Sequence, residues 1–378
     1  MSETTSDDRP DLHPALYTRI CKLFGVQYPI VQTGMGFVAV PELTAATSNA
    51  GGLGVLTSGT LQFHELADAI AQTKALTDKP FGVNVRGDAP DVIERAELLI
   101  KQKIPVASFA LAPKRETIDK LKNAGIVVIP SIGARRHAEK VAAWGVDAVL
   151  VQGGEGGGHT GSVPTSILLP QVVDAVDIPV VGAGGFRDGR GLVAALAYGA
   201  AGIAMGTRFL LTSDSPVPDK IKQVYLGKTV NDTVVTKAID GVPQRVLRTE
   251  LAETLISQHA FKRWQRSLQL SVAFQKSTKT PWKDIIKEGL NMKKNQELQW
   301  SQVLMAANTP VLLSAGLVDG DTSKGTLASG QVAGLIDDLP SCRELILRIM
   351  TEADQTLRRL ESGTQPVAAA GATGTGGA

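Results

Sequence analysis

Residues 152–161 read Gln152-Gly-Gly-Glu155-Gly-Gly-Gly-His159-Thr-Gly161, one acid and one histidine among six glycines. An imidazole exchanges protons near neutrality, and a carboxylate is the next group able to act as a base. Glycine neighbours leave both side chains uncrowded and let the backbone come close to a ligand. Proton abstraction is the chemistry this loop offers, with His159 the first candidate and Glu155 the second. Taken alone, the loop also reads as a flexible turn with an incidental histidine.

Other candidates lie in similar loops. Asn84 and Gln152 close apolar runs, and their side-chain amides suit a ring with donor and acceptor edges. Gly34-Met35-Gly36 offers close backbone approach. Gly184-Gly185 precedes an expected helix over 188–198, whose first N–H groups favour an anion. Gly206-Thr207 adds backbone donors and a hydroxyl. The expected cofactor contacts on these loops are Gly34, Met35, Gly36, Asn84, Gln152, Gly184, Gly185, Met205, Gly206 and Thr207. Met35 and Met205 also read as core filler.

These loops need elements to hold them. Short apolar, β-rich runs recur at 28–32, 53–57, 81–85, 106–110, 127–131, 148–152, 179–183 and 202–206. Stretches of helical periodicity separate them, several closed by glycine. Eight strands alternating with helices predict an α/β fold, a (β/α)8 TIM barrel, with an open doubly wound sheet as the alternative. The runs are apolar throughout, as strands covered on both faces should be. In such a barrel the loops after the strands form the active face, and a phosphate sits after strands seven and eight. The chain has no Gly-x-Gly-x-x-Gly after its first strand and no Gly-x-x-x-x-Gly-Lys-Ser/Thr loop. One phosphate and one planar polar ring point to flavin mononucleotide (FMN).

Beyond residue 214 the rhythm breaks. Residues 219–300 hold 15 Lys and Arg against 8 Asp and Glu, whereas the whole chain carries only +2. Such a basic segment suits an anionic ligand, and equally a solvated helical surface. The expected organisation is a flexible N-terminus over 1–18 and a barrel over 19–215 plus 325–362. An inserted, mainly helical substrate or cap domain fills 216–324, and 363–378 is a disordered tail. With 43% apolar residues the chain can bury a large core, and its charge carries no nucleic-acid signature. Cys21 and Cys342 stand in no metal or redox spacing, so no metal site is expected. No run approaches the ~18 apolar residues of a membrane span. The first residues lack the basic start and apolar core of a signal peptide. A soluble cytoplasmic protein acting on a small molecule follows as the expectation, with a homo-oligomer left open.

Seven motifs in this order resemble the nitronate monooxygenase (2-nitropropane dioxygenase-like) flavoproteins. They are Tyr-Pro-Ile-Val-Gln-Thr-Gly-Met at 28–35, Ala-Gly-Gly-Leu-Gly at 50–54, Pro-Phe-Gly-Val-Asn at 80–84, the loop at 152–161, Ala-Gly-Gly at 183–185, Met-Gly-Thr-Arg at 205–208 and Ser-Gly-Gln-Val-Ala-Gly at 329–334. The resemblance covers about residues 20–360. It implies an FMN-dependent barrel with an inserted helical domain. By that pattern Asn84, Gln152, Gly157, Gly185, Gly206 and Thr207 hold FMN and His159 is catalytic. One departure is Gly156, where the family often has alanine, which implies a looser loop. Three further runs, at 246–251, 302–310 and 339–345, resemble the branch of bacterial steroid-ring degradation.

That branch implies dehydrogenation of a bicyclic hydroxy-acyl-CoA thioester. A base removes the thioester's α-proton and a hydride passes to flavin N5. Arg245 and Arg248, with Lys262 and Arg263, are then candidates for the CoA phosphates. Two alternatives stand beside it: oxidation of alkyl nitronates with O2, and a NAD(P)H-dependent quinone or enoyl reductase. A non-catalytic flavin-binding protein would leave His159 unexplained.

Overall fold

The computed structural model describes residues 11–258, 275 and 308–363. Eight parallel strands close into one barrel: β1 (Ile30–Gln32), β2 (Leu53–Thr57), β3 (Phe81–Arg86), β4 (Val106–Ala110), β5 (Val127–Ile132), β6 (Val149–Gln152), β8 (Val180–Ala183) and β9 (Gly202–Met205). β9 returns to β1, with Val31 opposite Ala204. All eight expected strands are present, and the barrel is closed rather than an open sheet. An extra two-residue strand, β7 (Gly158–His159), lies inside the glycine-rich loop.

Helices α1 (Arg19–Phe24), α2 (Pro41–Asn49), α3 (Phe63–Leu76), α4 (Val92–Lys101), α5 (Arg115–Asn123), α6 (Arg135–Ala143), α7 (Thr165–Val173), α8 (Gly189–Ala197) and α9 (Thr207–Leu210) accompany the barrel. Their ends follow local chemistry. Gln62 and Glu65 form a capping box that starts α3, and the Asp188 side chain accepts from the Gly191 amide to start α8.

The strands are buried on both faces because they serve two cores. Val31, Val55, Val106, Ile129, Leu150, Val181 and Ala204 pack together in one cluster with Ile20 and Phe24 of α1. A Cβ on Gly202, at the start of β9, would lie 2.5 Å from Ile20 Cδ1, so α1 plugs the N-terminal end of the barrel. Alternate strand residues such as Ile30, Val83, Ala107, Val128, Val149 and Ile203 pack outward in the larger cluster, against the helices. The C-terminal end, where the glycine loops lie, is left for a site.

Beyond the barrel come α10 (Asp219–Leu226), a hairpin of β10 (Thr233–Thr236) and β11 (Gln244–Leu247), α11 (Glu250–Ser257) and α12 (Asn308–Leu317). The expectation of a mainly helical insert is thus modified at its start. The run Thr233-Val-Val-Thr236 is wholly β-branched, and Asp240-Gly241 supplies turn residues before its partner Gln244–Leu247, a hairpin pattern. Residues 259–274 and 276–307 of the insert, including Lys262, Arg263, Trp264, Trp282 and Trp300, lie outside the described residues.

The chain then rejoins the barrel through a 3-10 turn over Gln331–Leu335 and the long α13 (Cys342–Ser362), which a Ser341/Glu344 capping box begins. Residues 11–18, expected to be flexible, are instead tied down where they are described. Leu16 is fully buried, and the His13 amide donates to Asp354 of α13. Residues 1–10 and the tail from 364 lie outside the described residues. No described helix is long and apolar enough to cross a membrane.

Candidate active site

Parallel strands in a closed barrel deliver all their C-terminal loops to one face, and the expected site residues meet there in pairs. A Cβ on Gly34 would lie 2.4 Å from Asn84 Cβ, so the loop after β1 is glycine because Asn84 stands behind it. The half-buried Asn84 amide donates to Ser108 Oγ at 3.2 Å. A Cβ on Gly206 would meet Thr33 Oγ1 at 3.2 Å and Met35 Sδ at 3.3 Å, and one on Gly36 would meet Thr60 Cγ2 at 3.0 Å. Gly184 (φ +94°) and Gly185 (φ +82°) turn the chain sharply after β8 in the left-handed region that other residues resist. A Cβ on Gly184 would lie 3.1 Å from the Gly156 amide, which brings the β6 and β8 loops together. Met205 is buried in the outer core, so it serves packing rather than the site.

Several expectations change on this face. The N-terminus of α8 does not offer its N–H groups to a phosphate. It begins four residues past Gly185, the Gly191 amide is taken by Asp188 Oδ1 and the Gly189 amide by Glu352 Oε2. The backbone at Gly184-Gly185 and the start of α9 at Gly206-Thr207 remain as the candidates for an anion. Thr207 Oγ1 accepts from the Gly330 amide at 2.9 Å, which leaves its own proton free to donate. Gly157 is glycine for another reason than a cofactor: a Cβ there would meet the Gly330 amide nitrogen and the Ser329 carbonyl carbon at 2.6 Å.

Glu155 is not poised as a base. Its carboxylate accepts from the Thr165 amide at 2.9 Å and the Thr165 hydroxyl at 2.8 Å, at the start of α7. Arg245 is not free for a CoA phosphate either. Its Nε and Nη2 both reach the Gly154 carbonyl, at 3.2 and 2.9 Å, and Nη1 donates to Thr233 Oγ1 at 2.8 Å. Burial pushes the guanidinium down from its ordinary value, with the Glu155 charge opposing. Arg248 is half-exposed and pairs with Glu253 at 2.6 Å. Arg208, in the Met-Gly-Thr-Arg motif, is buried against Asp338 at 3.0 Å and anchors the segment after β9.

Gln152 and His159 stay in the site. The Gln152 amide folds over its own loop and donates to the His159 carbonyl at 2.9 Å and the Gly157 carbonyl at 3.3 Å. A Cβ at Gly156 would lie 2.6 Å from Gln152 Nε2. Glycine rather than alanine there lets Gln152 fold down, so the loop is braced and not loosened. β7 pairs with β11, placing His159 opposite Gln244, and the Thr160 amide donates to the Pro243 carbonyl.

That pairing sets His159 against a residue sequence reading missed. His159 Nε2 lies 2.6 Å from Asp240 Oδ2, with the histidine side chain 55% exposed and the aspartate 5%. Burial pushes the Asp240 carboxyl up. The His159 bond and charge, the Val242 amide and the Thr309 hydroxyl outweigh it and hold the group below the usual carboxylate range. The Asp-Gly dipeptide signalled a turn; nothing local signalled its partner 81 residues away. An exposed imidazole backed by a buried carboxylate has the geometry of a base oriented by its hydrogen-bond partner. Among the described residues, no group of three or more His, Cys, Asp or Glu could hold a metal ion.

The family model for nitronate monooxygenase matches residues 17–101 and 90–352. Two relatives carry the name (3aS,4S,5R,7aS)-5-hydroxy-7a-methyl-1-oxo-octahydro-1H-indene-4-carboxyl-CoA dehydrogenase. The one from Mycobacterium tuberculosis (strain ATCC 25618 / H37Rv) is 60% identical over 341 residues, and the one from Rhodococcus jostii (strain RHA1) is 59% identical over 338. Each match covers 89% of this chain and 96% of the relative. The structure of FabK from Thermotoga maritima superposes with a TM-score of 0.76 at 34% identity, over 92% of this chain and 99% of that one. The barrel, its glycine-rich mouth and these matches agree: the chain belongs to the nitronate monooxygenase family of flavoprotein oxidoreductases.

Proposed function

We propose that this protein is an FMN-dependent dehydrogenase of a bicyclic, steroid-derived hydroxy-acyl-CoA thioester. The observation that carries the reaction class is the His159–Asp240 pair on the loop after β6, 2.6 Å apart. The substrate class rests on the two relatives of 59% and 60% identity and their names.

The residues on this face fit FMN. Asn84 and Gln152 supply two half-buried amides for a ring with donor and acceptor edges. Gly34 lets the loop after β1 pass directly against Asn84, which sets that amide beside the loop. Gly184-Gly185 and Gly206-Thr207 would take the single phosphate. When bound, FMN supplies the hydride acceptor. His159 removes the proton next to the thioester carbonyl, where acidity is greatest, and Asp240 stabilises the imidazolium so formed. Gln152 holds the His159 backbone during that transfer.

A second reading draws on the family model's own description, nitronate monooxygenase. A nitronate is already an anion, so His159 would donate a hydrogen bond rather than take a proton. Anaerobic titration at the flavin absorbance band separates the two. Bleaching by the acyl-CoA thioester and not by alkyl nitronates supports the dehydrogenase; the reverse pattern overturns it. Denaturation should release FMN, and release of FAD would contradict the single-phosphate reading.

A further inference from the structure

A histidine has two ring nitrogens, and here one is already engaged. His159 Nε2 is bonded to Asp240, whereas Nδ1 has no hydrogen-bond partner among the described residues. We propose that Asp240 is a positioning residue that fixes His159 in the tautomer protonated on Nε2, so that Nδ1 is the nitrogen that takes the substrate proton. The inference rests on His159 being the base.

The hydrogen-bond arrangement around Asp240 is complete enough to set the tautomer. Asp240 Oδ1 accepts from the Val242 amide at 3.0 Å, and Oδ2 accepts from Thr309 Oγ1 at 2.8 Å. Thr309 Oγ1 in turn accepts from Gln244 Nε2 at 3.3 Å, so its proton is directed to Asp240. An ionised carboxylate only accepts, so Nε2 must carry the proton in the pair. The chain of bonds runs from Gln244 through Thr309 to Asp240, all supplied from outside the barrel by the hairpin and α12. Backbone pairing of β7 with β11 and the Arg245 contact to Gly154 already staple the loop to the hairpin. The buried carboxylate is therefore not needed as a staple.

In the step, the bond from the α-carbon to hydrogen breaks and its proton moves to Nδ1. Its electron pair stays on the substrate, delocalised into the thioester. The imidazolium then carries protons on both nitrogens, and Asp240 remains ionised.

Asp240→Asn tests this because the site dictates how an amide would lie. The Val242 amide requires an acceptor, so the asparagine carbonyl stays at the Oδ1 position. The NH2 group then faces His159 and donates to Nε2, which forces the proton onto Nδ1. Histidine-selective 15N NMR of the flavin-loaded protein, at a pH where the ring is neutral, should show Nε2–H in the wild type and Nδ1–H in the variant. Flavin content and the unfolding midpoint should change little, and flavin reduction by the acyl-CoA thioester should fall ~10²–10⁴-fold. A wild-type ring protonated on Nδ1 overturns the proposal, as does a variant with inverted tautomer that reduces at the wild-type rate. If Asp240→Asn does not fold, the wild-type tautomer decides alone. That measurement uses no substrate, so failure of the acyl-CoA reading would appear separately, as wild-type flavin that no thioester bleaches.

Discussion

The Glu155 carboxylate grips Thr165 at both its amide (2.9 Å) and its hydroxyl (2.8 Å), tying the loop after β6 to the first turn of α7. The second acid–base candidate of the loop is thereby held in a structural contact, which leaves His159 as the proposed base. Substituting each should give opposite signatures. His159→Asn should keep the flavin and slow its reduction by ~10²–10⁴-fold, the effect of losing a general base. Glu155→Ala should leave the chemistry within about tenfold and cost on the order of 1 kcal/mol of stability, as for a lost helix cap. Stopped-flow reduction and thermal unfolding of both variants read the difference. Fast reduction by His159→Asn with slow reduction by Glu155→Ala would reverse the assignment.

Arg245 and Arg248 separate in the same way. Arg245→Ala leaves the Gly154 carbonyl without its two guanidinium donors, a loss of about 1–3 kcal/mol for a buried acceptor. It should lower turnover of thioester and nitronate alike. Arg248→Ala removes only a surface pair with Glu253, worth about 0–1 kcal/mol. It should change neither unless the CoA phosphates reach it. A rise in KM for the thioester alone in Arg245→Ala would restore that residue as a phosphate ligand.

The barrel was legible because its signal is local: eight β-rich runs, each followed by a loop, several of them glycine-rich, and all but the last by a helical period. The face that carries the candidate residues was legible for the same reason, since Gln152, Gly184 and Gly206 sit at or just past strand ends and Asn84 lies two residues before one. Side-chain partners were not. Glu155 looks like a free acid until Thr165 folds onto it, and Arg245 like a free cation until Gly154 does. Asp240 has its turn written in Asp240-Gly241, but its bond to His159 depends on β11 pairing with β7, a contact no local period announces. The α8 N-terminus misled for a related reason. The sequence shows Asp188 as the cap, but Glu352 reaches Gly189 from a helix that begins more than 150 residues later.

Gly185 offers a test of the phosphate loop. Its φ of +82° strains any side chain, and an added Cβ would lie 3.7 Å from Glu155 Cβ. Gly185→Ala therefore carries the backbone strain alone, about 1–2 kcal/mol. Gly185→Asp adds a carboxylate beside Glu155, on the side where a phosphate would bind, and like charges repel. Flavin content per chain should fall moderately in the first and be abolished in the second, with far-UV circular dichroism near wild type in both. Normal flavin content in Gly185→Asp would place the phosphate elsewhere.

Cys342 gives a prediction about pH that is independent of the site. It is the first residue of α13, fully buried, with the Thr47 hydroxyl 3.7 Å from its sulfur and its amide bonded to Asp214 at 2.6 Å. Burial pushes the thiol up to about 12 from an ordinary 9.0, the Thr47 bond opposing and the Asp214 charge adding to the rise. The raised value sets the sign. Below pH 9 the thiol is neutral in folded and unfolded chains alike, and the stabilisation it contributes is fully present. From pH 9 the unfolded chain loses its proton first, so that stability declines until the folded thiol also ionises near 12. The buried Tyr225 hydroxyl, also raised by desolvation from its ordinary 10.0, adds a decline of the same sign, so the wild type alone would not isolate the effect. Cys342→Ser removes this one titration and keeps a small side chain. The gap between wild type and Cys342→Ser in urea unfolding should be constant from pH 6 to 8.5. It should then move against the wild type by up to a few kcal/mol as pH rises towards 11, since each pH unit is worth about 1.4 kcal/mol. A gap that stays flat, or iodoacetamide labelling of Cys342 in the folded protein at pH 8, would show that the thiol is less shielded than its burial requires.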